Sequence, residues 1–180
     1  MSTDREAIIL QVTEDMIRQG GYHRFSFRNI ATAVGIKSSS VHYHFATKEQ
    51  LGVAVTKHYT DKFINSLGQP QVIIAAGGDP VHTYIEAFRA ALKDDKGICL
   101  CGMLGAETAA LPSSVANETR AFFERNIAWL DTALKANGHT KKTKHEATKI
   151  LALLEGAMIV SNVMDDVTVF DMATESLLGE

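Results

Sequence analysis

Residues 26–51 read Ser-Phe-Arg-Asn-Ile-Ala-Thr-Ala-Val-Gly-Ile-Lys-Ser-Ser-Ser-Val-His-Tyr-His-Phe-Ala-Thr-Lys-Glu-Gln-Leu. The apolar residues between Phe27 and Val34 recur at helical spacing, so they predict one buried stripe of a short helix. Ser26 stands at the N-cap position, where its hydroxyl can accept an orphan backbone N–H. Gly35 follows the stripe, where a helix commonly ends in a left-handed residue.

A second short helix follows within the same stretch. Three serines, any of which could cap it, precede Val41 and Phe45, which are four residues apart and share one face. Thr47 and Gln50 form a Thr-x-x-Gln capping box that starts a third helix, with Leu51 inside. Two short helices joined by a tight glycine turn predict a helix-turn-helix, the motif that places its second helix in the major groove of DNA.

Composition predicts a folded, cytoplasmic protein. The chain has 180 residues, 46% of them hydrophobic, and only three prolines. We expect no membrane span, because no apolar run approaches about 18–20 residues, and no secretory signal, because residues 1–6 are polar. Net charge is −3 overall, but residues 1–62 carry +2 and the remainder −5. A basic N-terminal part joined to an acidic remainder fits a DNA-binding module attached to a part that does not contact the DNA phosphates.

The whole chain is predicted to be all-α, with about nine helices and no strand alternation. We expect a three-helix DNA-binding domain at residues 1–48 and a larger helical ligand-binding and dimerisation domain at 49–180. Residues 71–78 are apolar but end in Gly-Gly, so the pattern leaves a short helix or a loop open. The other predicted helices lie at about 4–19, 47–67, 79–94, 98–111, 113–137, 144–163 and 167–178.

The motif residues resemble the TetR family of bacterial transcriptional regulators. The signature is Phe25-Ser-Phe-Arg-Asn-Ile-Ala, then Val34-Gly, Tyr43-His-Phe and Lys48-Glu-x-Leu. The resemblance implies a dimer in which each subunit has a DNA-binding head and a helical body that binds a small ligand. It also implies that ligand binding changes the separation of the two heads and releases the operator, as in a repressor.

A helical wheel divides the second short helix into core and DNA-facing residues. With Val41 and Phe45 turned inward, Ser39 and Tyr43 point outward, whereas His44 falls near the buried side. The resemblance implies phosphate contacts from the residues at positions 26, 43 and 48, and the small hydroxyls can reach base edges or phosphates. The predicted DNA-binding residues are Ser26, Arg28, Lys37, Ser38, Ser39, Ser40, His42, Tyr43 and Lys48.

Candidate ligand-binding residues come from the body. They are the aromatic, sulfur-containing and acidic residues Tyr84, Phe88, Cys99, Met103, Glu107, Phe122 and Trp129. Each has a plainer interpretation: aromatic residues at helical spacing are commonly core, and Glu107 can be a solvated edge.

The two cysteines, Cys99 and Cys101, predict no structural disulfide in a cytoplasmic protein. They can be small buried apolar residues, or Cys99 can be a reactive thiol near a helix start. The segment resembles a branch of the TetR family in which some members respond to electrophiles or unsaturated carboxylates.

The last two long helices are predicted to form the dimer, because family members pair through them as a four-helix bundle. The predicted interface residues are Leu153, Leu154, Ala157, Met158, Ser161 and Met172. The same helix could instead be buried inside its own subunit. A twofold dimer implies an inverted-repeat operator in double-stranded DNA.

Enzymatic function is not expected. Neither Gly-x-Ser-x-Gly nor His-Glu-x-x-His occurs, and the cysteines lack the Cys-x-x-Cys spacing of thiol-redox enzymes. His42 and His44 are two apart and face opposite sides of a helix, so no metal site is expected, and no cofactor is implied. The alternatives to a ligand-responsive repressor are a DNA-binding protein without a ligand and a thiol-based redox or electrophile sensor using Cys99.

Overall fold

The structure is a computed structural model that describes residues 2–93 and 97–177. Across these residues it is all-α, as the sequence predicts. Short 3-10 turns lie at Tyr22–Arg24, Thr108–Ala110 and Glu175–Leu177. The α-helices are α1 Ser2–Gly20, α2 Phe27–Val34, α3 Ser38–His44, α4 Lys48–Leu67, α5 Pro70–Ala75, α6 Pro80–Lys93, α7 Leu100–Ala106, α8 Ser113–Ala136, α9 Thr143–Met164 and α10 Val167–Thr174.

Two helices differ from the sequence prediction. The segment that the pattern left open forms α5, which begins at Pro70, where a missing N–H costs nothing. The predicted helix at 98–111 is shorter: α7 ends at Ala106, and a 3-10 turn follows over Thr108–Ala110. Small residues fill this stretch, so little apolar side chain is available to hold a longer helix against a core.

The chain divides into two compact units. One comprises the described residues of Met1–Asp61 and Leu100–Phe122, and the other those of Lys62–Cys99 and Phe123–Glu180. The N-terminal unit therefore extends past the predicted domain boundary at residue 48 and includes α4 as far as Asp61. It also includes α7. The predicted division into functional domains stays a prediction, because compactness does not test it.

In the N-terminal unit, the buried face of α1 includes polar residues. Ile9 and Ile17 are buried, but Ile8 is 50% exposed, while Thr13 and Glu14 are buried. Thr13 fits because its hydroxyl bonds locally, donating to the Ile9 carbonyl at 2.7 Å. An apolar pattern alone therefore does not give the buried face of this helix.

The C-terminal unit packs α6, α9 and α10 around an apolar core. Ile85, Leu154 and Phe170 have at most 1% exposure. An Arg89–Asp171 fork, with nitrogen–oxygen distances of 2.6 and 2.7 Å, links α6 to α10. The two carboxylate oxygens accept parallel N–H bonds, the strongest geometry for such a pair.

α9 is long and apolar enough to cross a membrane by length and composition. A core helix of a soluble protein can have the same length and composition, so this is weak evidence for a membrane. In this unit α9 packs on α6 and α10.

Gly21 and Gly35 both have positive φ, 78° and 73°, but their surroundings differ. A Cβ on Gly21 would overlap the carboxylate of Glu107, whereas a Cβ on Gly35 would meet nothing within 4 Å. We expect Gly35→Ala to cost about 1–2 kcal/mol of stability from backbone strain alone. Gly21→Ala should cost at least about 1 kcal/mol more, because the carboxylate must also move.

The two midpoints of urea unfolding, followed by circular dichroism, measure this difference. Equal midpoints for Gly21→Ala and Gly35→Ala would contradict the close approach of Glu107 to Gly21.

Candidate functional site

The turn between α2 and α3 is built from local bonds. Ser26 Oγ accepts the Asn29 N–H at 3.1 Å and caps α2. Gly35 ends α2 in the left-handed region, and the Ile36 N–H donates to the Ala31 carbonyl at 2.9 Å. This is the 6→1 bond of a Schellman-type end, which reverses the chain tightly.

The face of α3 that points to solvent follows from the residues it buries. Val41 is 0% exposed and Phe45, just after the helix, is 7% exposed. On the opposite side Tyr43 is 83% exposed, the largest value among the exposed large hydrophobic side chains. Ser38 and Ser39 are exposed, and Ser40 is half-buried.

The two histidines of α3 differ in environment. The exposed His42 packs edge-on against the Phe27 ring, with 4.5 Å between ring centroids. The side chain of His44 is 8% exposed, and its Nδ1 lies 3.9 Å from Glu6 Oε2. His44 thus lies near the buried side, as the helical wheel indicates, and His42 lies on the flank.

A groove of about 710 Å³ runs beside the exposed face of α3. From α3 it is lined by Ser39, Ser40, Tyr43 and His44, and from α1 by Asp4, Arg5 and Ile8. Arg5 and Ile8 are contributions that sequence reasoning missed.

Lys48 occupies a different place from the other predicted DNA contacts. Its Nζ donates to the Phe25 carbonyl at 2.7 Å and lies 4.8 Å and 4.4 Å from the ring centroids of Tyr22 and Phe25. Burial lowers the pKa of Lys48, and the nearby Glu107 partly opposes this. Lys48 therefore holds the start of α4 to the chain just before α2, with its side chain half-buried.

Glu107 completes this junction. Its Oε2 accepts the Tyr22 N–H at 2.8 Å, across 85 residues of sequence. The capping box predicted at the start of α4 is also present, since Thr47 Oγ1 accepts the Gln50 N–H at 3.1 Å. The remaining basic candidates, Arg28 and Lys37, are exposed on the same unit.

The predicted ligand-binding residues fall in both units. Met103, Glu107 and Phe122 belong to the N-terminal unit, where Glu107 bonds the Tyr22 backbone and Phe122 packs on Tyr59 at 5.8 Å. The others belong to the C-terminal unit: Tyr84, Phe88, Cys99 and Trp129.

Tyr84 is the centre of an aromatic cluster in the C-terminal unit. Its ring centroid lies 5.7 Å from that of Phe63, 5.3 Å from Phe88 and 5.5 Å from Trp129. Its hydroxyl donates to Asn126 Oδ1 at 2.6 Å. Burial, with smaller contributions from Glu155 and Cys99, raises the pKa of Tyr84 well above its ordinary value.

Glu155 of α9 was not singled out by sequence reasoning. Both of its carboxyl oxygens are shielded from solvent and have no hydrogen-bond partner among the described residues, although the residue as a whole is partly exposed. Burial raises the pKa of Glu155 to about 7, and the Cys99 thiol, a weak donor, partly offsets this. The available signal was one carboxylate in the apolar run Leu153–Met158.

Cys99 and Cys101 are both buried, and neither is disulfide-bonded. The Cys99 N–H donates to the sulfur of Met158 at 3.0 Å. Within residues 2–93 and 97–177, no group of three His, Cys, Asp or Glu side chains comes together to hold a metal ion.

Two family models match the chain. The model of the bacterial regulatory proteins of the tetR family matches residues 9–55. The model of the C-terminal domain of LmrA/YxaF-like transcriptional regulators matches residues 79–176, more than half of the chain. The sequence matches none of the curated proteins with which it was compared.

Solved structures agree with these matches. A TetR transcriptional regulator from Legionella pneumophila is 32% identical over 93% of this chain and 92% of its own, with a TM-score of 0.84. A TetR-family regulator from Agrobacterium tumefaciens is 26% identical over 99% and 97%, with a TM-score of 0.86. The reduced form of E. coli NemR, at 19% identity over 95% and 94% and a TM-score of 0.78, shares the fold.

The helix-turn-helix with an exposed second helix defines a DNA-binding protein of transcription. With a relative at 32% identity across nearly the whole chain, the protein belongs to the TetR family of bacterial transcriptional regulators.

The raised pKa of Glu155 predicts a stability that falls as pH rises. Its ordinary value is 4.5, so the unfolded chain releases this proton first, and the folded state loses stability between about pH 4.5 and pH 7. Glu155→Gln removes the ionisation. The free energy of unfolding of this variant, relative to that of the wild type, should therefore increase by about 2–3 kcal/mol between pH 5 and pH 8.

Urea unfolding at both pH values measures this change, with Glu175→Gln, at an exposed glutamate, as the control. A stability difference between Glu155→Gln and wild type that does not vary with pH would contradict the buried acid.

Proposed function

We propose that the protein is a ligand-responsive repressor that binds an inverted-repeat operator as a homodimer and is released by a small molecule. The observation that carries the DNA-binding part is the exposed face of α3, where Ser38, Ser39 and Tyr43 project from a helix fixed by the burial of Val41. A fixed helix with short polar side chains can approach base edges closely, while a longer phenol reaches the phosphates.

The basic side chains support this orientation. Arg5 lines the groove beside α3, and Arg28 and Lys37 are exposed on α2 and at the start of α3. Phosphate contacts from such residues supply affinity without sequence preference. In this proposal the main role of Lys48 is to hold the start of α4 beside the helix-turn-helix.

Dimerisation is supported by an apolar surface on the last two helices. On α9 Ile159, Val160 and Val163 are 42%, 47% and 78% exposed, and on α10 Met172 is 66% exposed. Contiguous exposed apolar residues commonly mark an interface. We assign the dimer surface to these residues.

This surface differs in part from the predicted interface. Leu154, Ala157, Met158 and Ser161 are at most 5% exposed within their own subunit, because this side of α9 packs in the core. Leu153 is half-buried, and Met172 is exposed as an interface residue would be. The proposed surface thus lies on the opposite side of α9.

The other functions considered have weaker support. Cys99 is 1% exposed, which favours a packing role over electrophile sensing. A DNA-binding protein without a ligand would share every feature of α3. Selection of an operator from random double-stranded DNA tests the proposal first, because a dimer must select an inverted repeat.

Tyr43→Ala is expected to weaken operator binding about tenfold, the loss expected for one hydrogen bond to a charged phosphate. Its thermal unfolding temperature should not change, because the side chain is 83% exposed. Lys48→Ala should weaken binding and also lower the unfolding temperature, since the Phe25 carbonyl loses its donor.

Gel-shift titration and a thermal melt of each variant separate the two roles. Wild-type affinity in Tyr43→Ala would refute the assignment of α3 as the reading helix.

Val163→Glu is expected to convert the dimer to a monomer, because a charge would be buried at the centre of the proposed apolar surface. Folding should be unaffected, since Val163 is 78% exposed in the subunit. Thr148→Glu, at an exposed position near the other end of α9, is the matched control and should stay dimeric.

Light scattering coupled to size exclusion measures the mass, and a gel shift measures operator affinity. A dimeric Val163→Glu protein would exclude this surface as the interface.

A further inference from the structure

The carboxyl group of Glu155 lies near Tyr84 in the C-terminal unit, and its donor among the described residues is the weak Cys99 thiol. Both oxygens are shielded from solvent and accept no hydrogen bond from a nitrogen or oxygen donor of those residues. None of the effects on its titration comes from a basic side chain of residues 2–93 or 97–177. An unpaired buried carboxyl is costly, and groups that carry such a cost concentrate at functional sites.

Two neighbours of this carboxyl are Tyr84, which lies at the centre of the aromatic cluster, and Cys99. The charge of Glu155 reaches the Tyr84 hydroxyl, and the Cys99 thiol lies beside the carboxyl. Around Tyr84, the rings of Phe63, Phe88 and Trp129 have centroids within 5.7 Å of its own. A carboxylate beside several aromatic rings is the combination that recognises organic ammonium groups, because ring faces carry partial negative charge.

We propose that Glu155 and the aromatic cluster around Tyr84 bind a hydrophobic organic cation, an aryl or alkyl amine, as the effector. This assignment rests on the proposed function and specifies the chemical class of its ligand. A carboxylate only accepts hydrogen bonds, and an ammonium group provides up to three donors together with the missing positive charge. A neutral alcohol provides one donor and no charge, and a carboxylate ligand is repelled.

Glu155 is close to solvent: its oxygens are shielded, but the residue itself is partly exposed. The Tyr84 hydroxyl already donates to Asn126 Oδ1, so this phenol is not a donor to Glu155. Apart from the weak contact with the Cys99 thiol, the carboxyl oxygens are therefore available as acceptors.

Three ligands of equal size test the charge requirement: 2-phenylethylammonium, 2-phenylethanol and phenylacetate. We expect only the ammonium compound to raise the thermal unfolding temperature of the full-length protein in a concentration-dependent way. Glu155→Gln should bind it about tenfold or more weakly, the loss expected when a hydrogen bond to a charged group is removed. Glu175→Gln, the exposed control, should bind as the wild type does.

One further variant separates the charge from the length of the side chain. Glu155→Asp keeps the charge and should retain measurable binding. Equal shifts from the ammonium compound and the alcohol would overturn the proposal, as would unchanged affinity in Glu155→Gln or no shift from the ammonium compound.

Operator binding is measured separately by gel shift, with and without the ammonium compound. Selection of an inverted repeat without any effect of the compound on protein or complex refutes the ligand class and leaves the repressor function standing. Failure to select any operator refutes the proposed function, whereas cation binding is still decided by the thermal shift.

Discussion

The burial of Val41 and Phe45 is the constraint on which the DNA-binding surface depends. Because α3 has only seven residues, two inward side chains determine its rotation about its own axis. Tyr43 and Ser39 then project outward, and His44 turns toward α1. The Gly35 turn makes this possible, since its left-handed backbone lets α3 follow α2 within three residues.

Lys48 and Glu107 connect this motif to the rest of the N-terminal unit. Lys48 bonds the Phe25 carbonyl, and Glu107 accepts the Tyr22 N–H, so α4 and the chain after α7 meet the segment that precedes α2. A phosphate contact for Lys48, which the family resemblance implies, and a ligand contact for Glu107 stay predictions. Their partners also give both residues a structural role in holding the short helices in place.

Thr13 and Tyr22 in the N-terminal unit and Tyr84 in the C-terminal unit place buried polar atoms in hydrogen bonds. Glu155 differs because both of its carboxyl oxygens are shielded from solvent and the weak Cys99 thiol is the donor beside them. Glu155, rather than the aromatic residues alone, therefore gives chemical information about an effector.

The sequence by itself determined the two helices of the helix-turn-helix, their ends and the exposed face of α3. Ser26, Gly35 and Thr47 act through bonds to residues at most five positions away, and Val41 and Phe45 share a face by helical geometry alone. Only the tertiary structure decided which side of α1 and α9 is buried, and which partners Glu107 and Glu155 have. Those outcomes depend on packing between segments far apart in the chain, and the local sequence around a residue does not determine that packing.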